Sequence, residues 1–302
     1  MPNAISSDTL RAAIQTALDA APERATQISW QQKQSLLALT DANQHFGQMY
    51  RNRPYCALEI ACDAQHEPLA LALMDHGFSW QSANPEHFNP VFSAAGFSRA
   101  LLERLDAQGA PLETPAPRLV DGFPLHAAAG HACEPALRFL LERGSNPNIV
   151  SSVEDAGKAA PLHTLGHSGN SHKPEAALCA RALVEFGADL SQRDRFAHTP
   201  LHWAYAEGAE ILAEELIRLG SPWLTDSVGN TPSGLAEVYC GFAEEEGRAW
   251  PRNTETFFDP LAAKATLDRL AALPARVERD ALANALPPSI SAAETVAPGR
   301  RL

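Results

Sequence analysis

The hexapeptide Thr199-Pro200-Leu201-His202-Trp203-Ala204, echoed at intervals along the chain, constrains the fold more than any other feature of the 302 residues. Each position has a physical use. Thr199 is suited to cap a helix, its hydroxyl accepting a free backbone N–H, and Pro200 at the first helical position gives up no needed donor. Leu201 and Ala204, three apart, share one face of a short helix. His202 is placed to hydrogen-bond backbone in the neighbouring turn. After Gly208 a second helix is expected, with Ile211, Leu212, Leu216, Ile217 and Leu219 at helical spacing and Gly220 as its C-cap. The run Asp226-Ser227-Val228-Gly229-Asn230-Thr231-Pro232 then reopens the same pattern 32 residues on.

With the proline slot as marker, units begin at positions 57 (an alanine), 90, 124, 161, 200 and 232, spaced 33, 34, 37, 39 and 32 apart. Three of them read Pro-Leu-His, at Pro124, Pro161 and Pro200, and five close on a glycine: Gly77, Gly109, Gly144, Gly187 and Gly220. The pattern resembles the ankyrin-repeat family, whose two-helix unit is about 33 residues long. The resemblance covers roughly residues 54–273 and is strongest over 121–236. It implies an all-α ankyrin-repeat solenoid of about six repeats. There are departures. The first two units lack the signature histidine, with Phe92 in that slot of the second. The fourth is about six residues longer than the fifth, an insertion centred on 170–173. The sixth is interrupted by GFAEEEGRAWPRNTETFFD, read as an irregular excursion near 241–258, with its second helix displaced to 260–273.

The array so defined is residues 53–273. Residues 1–52 carry no signature and read as a helical N-terminal cap, with helices over 9–20 and 30–44; Leu10, Ile14 and Leu18 form the apolar stripe of the first. Residues 274–302 are Pro-, Ser- and Ala-rich and read as a mostly disordered tail with one short helix over 277–286.

Composition narrows the function. At 45% hydrophobic the chain can bury a large core, yet no apolar run approaches the ~18 residues of a membrane span. The opening residues lack the basic-then-apolar layout of a secretory signal. Cys56, Cys62, Cys133, Cys179 and Cys240 show no CxxC spacing, so neither a disulfide framework nor a zinc finger is indicated and a reducing, cytoplasmic setting is expected. Net charge is −12, from 24 basic and 36 acidic residues, which argues against nucleic acid or anionic membrane and favours a basic protein partner.

No catalytic motif emerges: GxSxG, Walker A and GxGxxG are all absent. His126, His163 and His202 recur once per repeat, but helix axes ~8–10 Å apart cannot bring three rings within the ~2 Å a metal ligand needs. The resemblance gives these histidines a structural role, bonding loop backbone. His163, His167 and His172 are the nearest approach to a metal set, and no carboxylate or cysteine stands at a HExxH-type offset, so no metal or cofactor is assigned. Trp203 and Trp223 read as inter-repeat core, and Trp250, Phe257 and Phe258 as pins for the excursion.

What remains is a surface. The resemblance implies docking on a concave face lined by hairpin tips and first helices. Its slots fall on Arg195, Phe196 and His198 at one tip and Ser227, Val228 and Asn230 at the next. Tyr205, Glu207, His131 and His167 fall at the ends of first helices. Phe196 and Tyr205 are the favoured anchors, because aromatics and arginine carry most interfaces. The expected function is a non-enzymatic, monomeric module binding a basic protein through its concave face, as an inhibitor or immunity-type protein. The alternatives are a small metal-dependent enzyme using residues 163–172 or 240–258, and a structural adaptor joining two partners.

Overall fold

Proline at the first turn and glycine just past the last frame helix after helix along this chain, and two parallel layers result. The computed structural model describes residues 7–39, 46–50, 53–82, 88–116, 122–151, 158–251 and 258–285. The chain opens with α1 (Ser7–Ala20), α2 (Pro22–Ala25) and α3 (Trp30–Leu37), followed by an antiparallel hairpin of β1 (Phe46–Tyr50) and β2 (Arg53–Tyr55). Helix pairs then repeat: α4 (Ala57–Asp63) with α5 (Glu67–Asp75), α6 (Pro90–Ala95) with α7 (Arg99–Ala107), and α8 (Pro124–Gly130) with α9 (Glu134–Glu142). They continue as α10 (Pro161–His167) with α11 (Pro174–Glu185), α12 (Pro200–Ala206) with α13 (Glu210–Arg218), and α14 (Pro232–Glu246) with α15 (Pro260–Ala285). The first helices α4, α6, α8, α10, α12 and α14 stack in sequence, and the second helices α5 to α15 stack as a parallel row behind them. Among the described residues the chain is thus an all-α solenoid with six helix pairs, as the period requires. No described helix is long and apolar enough to cross a membrane.

The closing glycines work through backbone angle alone. Gly77, Gly109, Gly144, Gly187 and Gly220 have φ between 76° and 93°. A Cβ on any of the last four named from Gly109 onward would meet nothing within 4 Å, so left-handed backbone, not space, selects glycine there. At Gly220 the following amide of Ser221 reaches back 2.9 Å to the Leu216 carbonyl, closing the helix end.

Each signature histidine staples two repeats. The Thr199 amide donates to His202 Nδ1 at 3.1 Å, so Nδ1 is the acceptor and Nε2 carries the proton, donating to the Asn230 carbonyl at 3.2 Å. His126 does the same between the Phe123 amide (3.1 Å) and the Ala159 carbonyl (2.9 Å). His163 takes the Ala160 amide and faces the Gln192 and His198 carbonyls at 3.0 and 3.1 Å. Thr199 differs from expectation in one respect: its hydroxyl lies 2.9 Å from His202 Nδ1, not on a helix amide. Burial holds the three imidazoles neutral, lowering His163 and His202 below the ordinary value and bringing His126 to about 4.

The outer layer carries a second set of cross-links. Arg104 meets Asp75, Arg143 meets Asp106 at 2.9 Å, Arg138 meets Glu185 at 2.9 Å, and Arg269 meets Glu210 at 2.8 Å. Arg181 grips Glu215 with two bonds, 2.5 and 2.7 Å. Every neighbouring pair of second helices from α5 to α15 is bridged in this way.

Three stretches differ from the sequence reading. The apolar stripe of α1 is buried as expected, but α3 ends at Leu37, not near 44, and the β1–β2 hairpin was not foreseen. The longer fourth unit divides its extra length between a longer α11 and the turn before it, where Asn170 Nδ2 donates to the Gly130 carbonyl at 2.8 Å. Residues 241–246 are the end of α14, not a loop, and α15 runs unbroken through Pro274, past the boundary drawn at 273. Trp250 does pin the segment after α14: it is 4% exposed and its indole donates to the Ala206 carbonyl at 2.7 Å. Phe258 packs against the core, and Phe257 and residues 286–302 lie outside the described residues.

Candidate protein-docking surface

Two consecutive hairpin tips are built from one design. In the first, Asp194 Oδ1 accepts the amides of Phe196 (2.8 Å) and His198 (2.9 Å). In the second, Asp226 Oδ1 accepts those of Val228 (2.9 Å) and Asn230 (2.8 Å). This aspartate turn fixes the backbone and leaves the third residue of each tip pointing out. Phe196 is 44% exposed with the Arg195 guanidinium 4.5 Å from its ring centre, and Val228 is 79% exposed. The tips are tied to each other, since the Ser227 amide donates to the Phe196 carbonyl at 3.1 Å.

His198 completes the tie. It is buried between two carboxylates, with Nδ1 3.6 Å from Asp194 Oδ2 and Nε2 3.4 Å from Asp226 Oδ2. Burial alone would raise both aspartates. The His198 ring beside Asp194, with hydrogen bonds to Asp194 from Trp203 and two amides and to Asp226 from Asn230 and Val228, outweighs it, so both sit below the ordinary carboxyl value.

From the tips a chain of rings crosses the first helices. Phe196 lies 5.7 Å from His198, and His198 lies 5.1 Å edge-on from Trp203. Trp203 on α12 lies 4.5 Å from His167 on α10, the rings tilted by 57°, and meets Tyr239 on α14 edge-on at 6.1 Å. Its indole N–H donates to Asp194 Oδ2 at 2.9 Å. Gly166 makes this packing possible, because a Cβ there would lie 2.9 Å from Trp203 Cβ and 3.2 Å from the Pro200 carbonyl. Half-buried aromatics with fixed polar handles are the kind of surface that anchors a partner.

The expected surface residues divide. Arg195, Phe196, Ser227, Val228, His131 and His167 are exposed. His131 sits over Gly96 of the second repeat, where an added Cβ would come within 2.9 Å of its ring. Three others are buried and a fourth, Asn230, is half-buried. Tyr205 is 0% exposed, its hydroxyl donating to the Leu270 carbonyl at 3.0 Å, and burial pushes its phenol well up. Glu207 is 2% exposed, with His167 Nδ1 3.1 Å from its Oε1. His198 is held inside the tip, and Asn230 spends its amides on Asp226 and its carbonyl on His202. Trp203, assigned to the core by sequence, is half-buried on this face, and Trp223 is 43% exposed, edge-on to Tyr205. The signal for Trp203 was its place at the variable position of the Thr-Pro-Leu-His-x-Ala signature.

The enzyme alternative gains nothing at residues 163–172. His163 is consumed by backbone, and no group of three His, Cys, Asp or Glu side chains among the described residues is placed to hold a metal ion. All five cysteines are free thiols, and burial pushes Cys56 up to about 11 and Cys179 up to about 12, where they are inert.

Comparison with known proteins agrees with this architecture. Residues 123–152 match a family model described as ankyrin repeat. A 114-residue stretch is 39% identical to mouse "Ankyrin repeat and SOCS box protein 16", covering 37% of this chain and 25% of that protein. An 89-residue stretch is 37% identical to human "Protein phosphatase 1 regulatory subunit 27", covering 29% of this chain and 53% of that one. The chain therefore spans between a quarter and about half the length of these relatives.

Proposed function

The chain is an ankyrin-repeat protein, and from that premise we propose that it is a non-enzymatic, cytoplasmic monomer that holds a basic protein partner against the tips and first helices of its fourth to sixth repeats. The family membership and a relative named as a regulatory subunit both support a protein-interaction module. The observation that carries the location is the pair of locked tips holding Phe196 and Val228 out in solvent on a backbone that binding need not order. A surface fixed before contact loses little conformational freedom when it binds. The charge of −12 favours a basic partner by attraction and faster encounter. An inhibitory or regulatory outcome is the reading closest to the relative's name, with the partner an enzyme whose activity changes when it is held. Affinity capture tests this. Wild-type protein is expected to retain a stoichiometric partner that the double variant Phe196→Ser/Val228→Ser loses at unchanged helicity. Equal recovery by both proteins would remove the tips from the interface.

A further inference from the structure

We propose that the free side of α14 docks a basic amphipathic helix from another protein, which lies on it where the first helix of a further repeat would stack. α8, α10 and α12 each lie between two first helices, whereas α14 has α12 on one side and, among the described residues, no further first helix on the other. α14 is also 15 residues long against 7 for α8, α10 and α12. Leu235, Ala236 and Ala243 point into the core. Val238 and Phe242, one turn apart, stand out at 38% and 53% exposure. Glu245 lies one turn from Phe242 on the same stripe and Glu237 and Glu244 lie along one flank of it, all exposed and without an ion pair among the described residues. The contrast with the outer layer is sharp, since the arginines there are spent on cross-repeat bridges.

An apolar pair flanked on one side by unneutralised carboxylates selects its occupant by charge. A helix with two apolar residues one turn apart, flanked by Lys or Arg, covers Val238 and Phe242 and pairs the three glutamates. A second copy of this chain meeting face to face would set the three glutamates against their own equivalents, which disfavours self-pairing. The inference stands apart from the tip surface, because neither Phe242 nor the glutamates belong to the tips; the two can fail separately.

The test uses the full chain and a fluorescein-labelled Lys/Leu amphipathic peptide, with a Glu/Leu peptide of the same pattern as its counterpart. Anisotropy should show the Lys/Leu peptide binding and the Glu/Leu peptide not. Phe242→Glu and, independently, Glu237→Gln/Glu244→Gln/Glu245→Gln should each weaken binding at least tenfold, with circular dichroism unchanged. Affinity should also fall steeply as salt rises. Equal affinity of wild type and both variants would overturn the proposal. So would a wild-type dimer in light scattering that Phe242→Glu abolishes, which would give the face to a second copy. A tenfold gain in peptide affinity on Arg300→Glu/Arg301→Glu would give it to the chain's own last residues.

Discussion

Lowering the pH from neutrality should weaken this array through the histidine staples. His126 is 3% exposed, accepts the Phe123 amide at Nδ1 and donates from Nε2 to Ala159, a geometry that only the neutral ring satisfies. Burial lowers its pKa from the ordinary 6.5 to about 4, and the nearby His163 adds to the effect. In the unfolded chain the ring keeps its ordinary value and binds a proton first as pH falls. The unfolded state thus holds more protons between about 6.5 and 4, so stability is fully present above that window and declines through it. The gap corresponds to roughly 3 kcal/mol from this one ring, and His163 and His202 shift in the same direction. The depressed aspartates, Asp189, Asp194 and Asp226, lose their contribution only as pH falls through and below 3.8, so they leave this window to the imidazoles. The assay is urea unfolding followed by circular dichroism from pH 7.5 to 4.5, with His126→Gln alongside. The variant should be less stable at pH 7.5, by about 1–3 kcal/mol for two backbone groups left without partners. It should also lose about 2.5 kcal/mol less than wild type between pH 7.5 and 4.5, the end of the range lying just above the folded value. A wild type equally stable at both ends, or a variant with the same slope, would refute the staple.

Two further substitutions probe the corrected burial and the outer ladder. Tyr205→Phe removes the bond to the Leu270 carbonyl and should cost about 1–2 kcal/mol in urea unfolding while leaving partner capture unchanged; lost capture at full stability would return Tyr205 to the binding surface. Arg181→Met leaves the Glu215 carboxylate, whose side chain is 6% exposed, without its two-bond partner. Because the arginine itself is half exposed, the expected loss is only about 1 kcal/mol, and no change in the urea midpoint would mean the bridge is ornamental to stability.

The sequence carried the period, the staples and the glycine ends because these are local: an N1 proline, a histidine two residues later and a left-handed glycine act within one unit. It misjudged what depends on distant packing. Tyr205 sits at the end of a first helix in a surface-like slot, and only α15, 65 residues on, covers its hydroxyl. Glu207 is hidden beside His167 from the preceding repeat. The excursion after position 240 reads as polar and irregular, yet packing of Ala243 extends α14 through the Glu244-Glu245-Glu246 run to a left-handed stop at Gly247. Trp203 reads as core because tryptophan is mostly buried, whereas the room left by Gly166 lets it lie half-buried against the preceding first helix.

Recognition by the locked tips can be read directly with a photo-crosslinking amino acid placed in cells at position 196 or 228, and as controls at 178 or 211, the exposed apolar sites of α11 and α13. The account expects a discrete protein adduct from 196 and 228 and none from the outer helices. Adducts formed only from 178 or 211, with the tips silent, would contradict it.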